Sequence, residues 1–141
     1  MVDIIVGNEN RSYQLLINTV NGSFDDEGVI DLPGGALETF SIAVADVNND
    51  GMSDIIIENE GQANHLLIHR GDGRFDAPVD LTGGVFDTFS IAVSDVNNDG
   101  MVDIHTGNRN KNDQLLMNSG DDNFGNPNRS AKFSIKVYSH S

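Results

Sequence analysis

The feature that most restricts what this chain can become is that it repeats itself. The segment TFSIAVADVNNDGMSDI at 39–55 returns as TFSIAVSDVNNDGMVDI at 88–104, an offset of 49 residues, with only the pairs Ala45/Ser94 and Ser53/Val102 differing. Self-similarity at such a period commits a chain to copies of one supersecondary unit, each burying its apolar face against the next. A second segment occurs three times, as YQLLINTVNGSF at 13–24, NHLLIHRGDGRF at 64–75 and DQLLMNSGDDNF at 113–124. At the two ends, MVDIIVGN at 1–8 corresponds to MSDIIIEN at 52–59, and KFSIKVYSHS at 132–141 corresponds to TFSIAVADVN. In that register Ser139 stands where Asp46 and Asp95 stand, and of a third acidic loop only Asp3 survives.

Each repeat reads as four short strands. Runs such as FSIAVADV, DIIIEN, HLLIHR and DAPVDL are rich in Ile, Val and Phe and are punctuated by NDG, GDG, PGG and TGG turn signals, and no segment carries a helical period. Four strands in a unit of about 40 to 50 residues is the arithmetic of a propeller blade. The expected fold is therefore all-β: a β-propeller built of four-stranded antiparallel blades, three to the chain. It forms one repeat domain over 1–141, with blade segments at about 1–38, 39–87 and 88–131. The strand at 132–141 then completes the first blade, in the same chain or in a neighbouring one.

The stretch DVNNDGMSD at 46–54 places an oxygen-bearing side chain at nearly every second position around a glycine. A hard cation such as calcium takes six to eight oxygens, and a loop delivers several only by curling around the ion. The candidate ligands are Asp46, Asn48, Asp50, the backbone carbonyl of Met52, and Asp54. In the second copy they are Asp95, Asn97, Asp99, the carbonyl of Met101, and Asp103. Val47 and Val96 are expected to turn away toward the core. The pattern is not an EF-hand, because the twelfth positions are Ile57 and Thr106 where that loop needs a bidentate Glu, and strands rather than helices flank it. A plain hydrophilic turn needs only one or two Asp, Asn or Gly residues, whereas three carboxylates within nine residues repel one another unless a cation sits among them. The sequence thus predicts two Ca2+ sites per chain, and leaves open whether Asp3 contributes to a third.

The residues FSIAVADVNNDGMSDIII with the following GDGRF, and FSIAVSDVNNDGMVDI with GDDNF, resemble the FG-GAP or VCBS repeat of integrin α-subunit propellers and of many secreted bacterial and algal proteins. The resemblance spans nearly the whole chain. It implies a calcium-binding blade whose metal loop joins the first two strands, used for adhesion, carbohydrate binding or protein binding. Closed propellers of that family have more blades than three. Since propellers close with about four to eight blades, a homo-oligomer is expected, with a dimer closing a six-bladed ring favoured.

Charge narrows the partners. With 22 acids against 8 bases and a formal net of −14, the surface repels phosphate backbones, so no nucleic-acid partner is expected. No apolar run approaches a membrane span, so no membrane insertion is expected, and there is no cysteine for a disulfide or thiolate site. Together with the resemblance, these features predict a calcium-stabilised binding module for glycans or proteins, extracellular or on the cell surface, although no signal segment follows Met1. The alternatives are a purely structural repeat segment, or an engineered or excerpted propeller fragment, whose only ligand is calcium and, more weakly, a polysaccharide-active enzyme domain. Catalysis is not expected, since every clustered carboxylate belongs to a metal loop and no His recurs beside Ser41 and Ser90. His65 and His69 lie about 13 Å apart on an extended strand and so are no zinc pair. The tripeptide Arg70, Gly71, Asp72 has TVN and SGD at the matching positions, which makes it a turn rather than a receptor signal.

Overall fold

The computed structural model describes residues 3–19, 22–24, 28–81, 85, 87–109, 111–118 and 120, and the backbone of 133–138. Among these residues the chain is all-β, with antiparallel pairing throughout and no α-helix. The first sheet runs β1 (Ile4–Val6), β2 (Gln14–Leu16), β3 (Val29–Asp31). The second runs β4 (Thr39–Ala45), β5 (Asp54–Asn59), β6 (His65–Leu67), then β9 (Val79–Asp80), with a short hairpin of β7 (His69–Gly71) and β8 (Arg74–Phe75) inserted before β9. The third runs β10 (Thr88–Ser94), β11 (Asp103–Asn108), β12 (Asp113–Asn118), β13 (Phe133–Tyr138).

The 49-residue repeat reappears as identical register. Ala45 faces Asp54 and Val44 faces Ile55 across β4 and β5, as Ser94 faces Asp103 and Val93 faces Ile104 across β10 and β11. Both pairs carry the same irregularity, between Thr39 and Ser41 and between Thr88 and Ser90. The residue at each irregularity, Phe40 or Phe89, is about half exposed. The aromatic of each FSIAV segment therefore lies outside the core, while Ile42 and Ile91, further along the same strands, pack into it.

Successive side chains of a strand point to opposite faces, and the middle sheet uses both. Ile55, Ile57 and Leu67 pack against Tyr13, Leu15 and Leu32 of the first sheet side. Ile56, Leu66 and Ile68 pack with Val47 and Leu81 against Ile104 and Leu116 of the third. Every residue of β5 is consequently buried, the near-continuous apolar run expected of a strand covered on both faces. Among the described residues the three sheets form a stack whose two outermost faces are uncovered. Ile4 is 43% exposed although its counterparts Ile55 and Ile104 are at most 1% exposed.

The same asymmetry corrects one expectation. Val47 is fully buried, but Val96 is 51% exposed, because Val47 turns onto the third sheet whereas among the described residues no further sheet covers Val96. At the C-terminus, Phe133–Tyr138 pairs with β12, with Asn118 opposite Phe133, so it occupies in the third sheet the position that β9 holds in the second. Ser139 lies outside the described residues.

Turn chemistry fixes one contact between the first two sheets. Gly34 has φ 137°, and a Cβ there would come within 2.5 Å of Cε2 of the fully buried Tyr13 ring. Tyr13 in turn donates its hydroxyl hydrogen to Asn59 Oδ1 at 3.0 Å across the sheet interface. Gly34→Ala is expected to destabilise the fold by about 2 to 3 kcal/mol, through backbone strain and displacement of the ring. Chemical denaturation checks this, and an unchanged midpoint would refute the packing.

Candidate functional site

The two acidic loops fold alike, hydrogen bond by hydrogen bond. In the first, Asp46 accepts the N–H of Asp50 on Oδ1 at 3.1 Å and that of Gly51 on Oδ2 at 2.8 Å. Asn48 Oδ1 accepts the N–H of Asp50 at 3.2 Å, and Asp50 Oδ1 that of Met52 at 2.8 Å. In the second, Asp95 accepts from Asp99 and Gly100 at 3.1 and 2.8 Å, Asn97 from Asp99 at 3.3 Å, and Asp99 from Met101 at 2.9 Å. Left-handed backbone at Asn49 and Gly51, and at Asn98 and Gly100, gives the curl that aims these amides at the carboxylates. Amide donors directed at carboxylate oxygens hold the side chains in place.

The closing acids behave differently from the rest of the ring. Asp54 is fully buried, and its two oxygens accept the N–H groups of Val47 at 3.0 Å and His69 at 2.9 Å. Asp103 repeats this with Val96 at 3.0 Å and Asn118 at 2.8 Å. Asp3 likewise accepts the N–H of Asn18 at 2.9 Å. In all three repeats this aspartate clamps the amide fifteen residues onward, a scaffold duty. The signal was in the sequence, since an aspartate recurs at 3, 54 and 103. Burial pushes the Asp54 carboxyl up, the amides of His69 and Val47 pull it down, and the charges of Asp50 and Asp46 push it up again. The three acids of the first ring therefore act on one another across the loop.

The donor set fits a hard divalent cation in kind: it is oxygen only, with three carboxylates, an amide and the Met52 or Met101 carbonyl in each ring. Its arrangement is one closed on itself. Asn48 Nδ2 donates to Asp50 Oδ2 at 3.0 Å, as Asn97 Nδ2 does to Asp99 Oδ2 at 3.0 Å. Among the described residues no three His, Asp or Glu side chains are gathered as a ready metal cluster. A cation would be held after these amide side chains turn their oxygens inward.

The rings are neighbours. Asn49 Nδ2 donates to the Gly100 carbonyl at 3.2 Å and meets Met101 Sδ at 3.1 Å, so the tip of the first loop rests on the second. Asn118 Nδ2 donates to the Val47 carbonyl at 2.7 Å and ties the third sheet to the first loop. These bridging asparagines were not singled out by spacing, because their partners lie 51 and 71 residues away.

The remaining motifs resolve into packing. His65 stands 3.3 Å from Asp80, and burial pushes its imidazole down while Asp80 pushes it up. His69 stacks on Phe75 with ring centroids 4.7 Å apart. In the tripeptide at 70–72, Arg70 Nε donates to Asp76 Oδ2 at 2.7 Å, and positive φ at Gly71, Asp72 and Gly73 forms the tight hairpin between β7 and β8. No helix among the described residues is long and apolar enough to cross a membrane. The family model described as an FG-GAP-like repeat matches residues 1–57 and 46–106, and both matches contain the first acidic loop. No curated protein matches the chain.

Proposed function

This chain belongs to the FG-GAP-like repeat family, and on that premise we propose that it is a calcium-stabilised β-propeller module, three blades to the chain, that recognises glycans or proteins outside the cell. One observation carries the reading: two oxygen-only rings of matching geometry lie side by side at one edge of the stack. Asp46, Asn48, Asp50, the Met52 carbonyl and Asp54 would hold one ion, and Asp95, Asn97, Asp99, the Met101 carbonyl and Asp103 the other. Bound calcium supplies charge neutralisation, which lets each ring's acids stay together in the ionised form. The protein's part is to pre-curl the loops with backbone amides and to brace them on the sheets through Asp54 and Asp103. Rings of this kind, built on exposed loops, suit the sub-millimolar to millimolar affinities of extracellular calcium modules. Recognition falls to the loops of a rigid scaffold.

Calcium titration by calorimetry with thermal melts tests the metal. Two sites per chain are expected, each adding about 2.7 kcal/mol at roughly 100 times its dissociation constant. A melt unchanged by calcium or chelator removes the assignment. The anchoring of Asp54 and Asp103 by buried amides favours a second reading, in which calcium serves the fold and is the only ligand. A glycan array separates the two: binding to no sugar in calcium would set the lectin reading aside. Catalysis has no support from convergent acid and base groups, and incubation with a polysaccharide panel is expected to yield no cleavage products.

A further inference from the structure

A line of hydrogen bonds runs through the core from one acidic loop to the other. Asp103 Oδ1 accepts the N–H of Asn118 at 2.8 Å, Asn118 Nδ2 donates to the Val47 carbonyl at 2.7 Å, and the Val47 N–H donates to Asp54 Oδ2 at 3.0 Å. Its two ends are thus the closing acids of the two rings. None of the four residues is more than 2% exposed. In so dry a place each bond is stronger than in water, and breaking one leaves a buried polar group without a partner.

Asn118 is built for the join. Besides the Val47 carbonyl of the first loop, its Nδ2 donates to the Val102 carbonyl of the second at 3.1 Å, so one amide group ties the backbones of both loops. Its Oδ1 accepts the N–H of Gly120 at 3.0 Å, which fixes the orientation of that amide. A second tie lies at the surface, where Asn49 Nδ2 donates to the Gly100 carbonyl at 3.2 Å. The tied residues sit among the ring ligands: Val47 lies between Asp46 and Asn48, Asn49 between Asn48 and Asp50, and Val102 between Met101 and Asp103. Each ring, moreover, is closed on itself by Asn48 on Asp50 or Asn97 on Asp99, and has to rearrange to take an ion. A rearrangement in one loop therefore acts on peptides of the other.

We propose that Asn118 and Asn49 are positioning residues that couple the two rings, so that an ion in one favours an ion in the other. The inference rests on the calcium reading above. Its physical cause is ordering: a loop fixed by its ion holds the neighbouring loop through these ties, and the second ion then costs less conformational entropy. Hydrogen bonds of this kind set the expected coupling at about 3- to 10-fold in affinity.

Calorimetric calcium titration of the full chain tests it. One ring is disabled at a time by Asp50→Asn or Asp99→Asn, and the product of the two affinities in the unmodified chain is divided by the product of the two single-ring affinities. Charge cancels to first order in this ratio, because the empty neighbour in each variant is midway in charge between the empty and the loaded neighbour of the unmodified chain. The ratio is expected to be about 3 to 10, and to fall toward one when the same cycle is repeated with Asn49→Gly or Asn118→Ala. A substitution that only weakened the fold would lower the affinities and leave the ratio where it was. Asn49 is exposed and glycine keeps its left-handed backbone, so that arm decides the matter even if Asn118→Ala folds poorly. A ratio of one in the unmodified chain, or a ratio unchanged by Asn49→Gly or by a folded Asn118→Ala, overturns the proposal. Two rings that bind calcium independently remove the coupling alone, whereas no binding at all removes the calcium reading together with it.

Discussion

Asp54→Ala lowers stability by about 2 to 5 kcal/mol, and does so in chelator as well as in calcium. The carboxylate is fully buried and is the acceptor for two amides, of Val47 and His69. Truncation leaves two donors without a partner, each costing about 1 to 3 kcal/mol. Some of this is offset in chelator, because removing Asp54 also relieves its repulsion with Asp50 and Asp46. Asp54→Asn keeps one acceptor oxygen and falls between wild type and Ala. The control is Asp50→Asn, whose exposed side chain can still accept the Met52 amide; it changes the chelator melt by no more than about 0.5 kcal/mol. In calcium both variants lose the increment that the first site supplies. Denaturation with and without calcium therefore separates the scaffold acid from the ring acids. Equal melts for Asp54→Ala and Asp50→Asn in chelator would contradict the clamp.

How much of this was readable beforehand follows the range of the interactions involved. The strands β4, β5, β10 and β11, and the turns that join them, were legible because alternation, the NDG signal and register all act within a dozen residues. The curl of the acidic loop was legible for the same reason: Asp46, Asn48 and Asp50 hydrogen-bond within five positions of themselves. The split fate of Val47 and Val96 was not. Their local sequences are the same, and among the described residues only Val47 has a further sheet to pack on, which sets them apart. The dual role of Asp54 was hidden likewise, since a ring acid and a buried clamp look identical in a nine-residue window. The inserted hairpin of β7 and β8 was readable as a GDG turn but not as a separate sheet, because its pairing is confined to five residues.

At Glu58 one repeat departs from its siblings inside the core, and this position governs the second large effect. Its counterparts are Gly7 and Gly107, yet Glu58 is fully buried on β5, opposite Ser41, and both its carboxyl oxygens lack a hydrogen-bond partner. Burial pushes this carboxyl from 4.5 up to about 8. The folded form thus holds a proton that the unfolded chain gives up above about pH 4.5. Between that pH and about 8 the native state binds more protons than the unfolded one, so stability falls as pH rises through this window and levels off beyond it. At about 1.4 kcal/mol per pH unit the whole displacement corresponds to about 5 kcal/mol. Glu58→Gln is close in shape and carries no titrating proton. Measured in chelator, the variant and wild type are expected to be nearly equally stable at pH 5 and to diverge steadily toward pH 9, with the variant the more stable by a few kcal/mol. Contributions common to both proteins cancel in the difference. Parallel stability curves from pH 5 to 9 would show that Glu58 reaches solvent or a partner in the native state. Divergence would show that this chain carries a protonated acid inside its middle sheet, where each flanking sheet carries glycine.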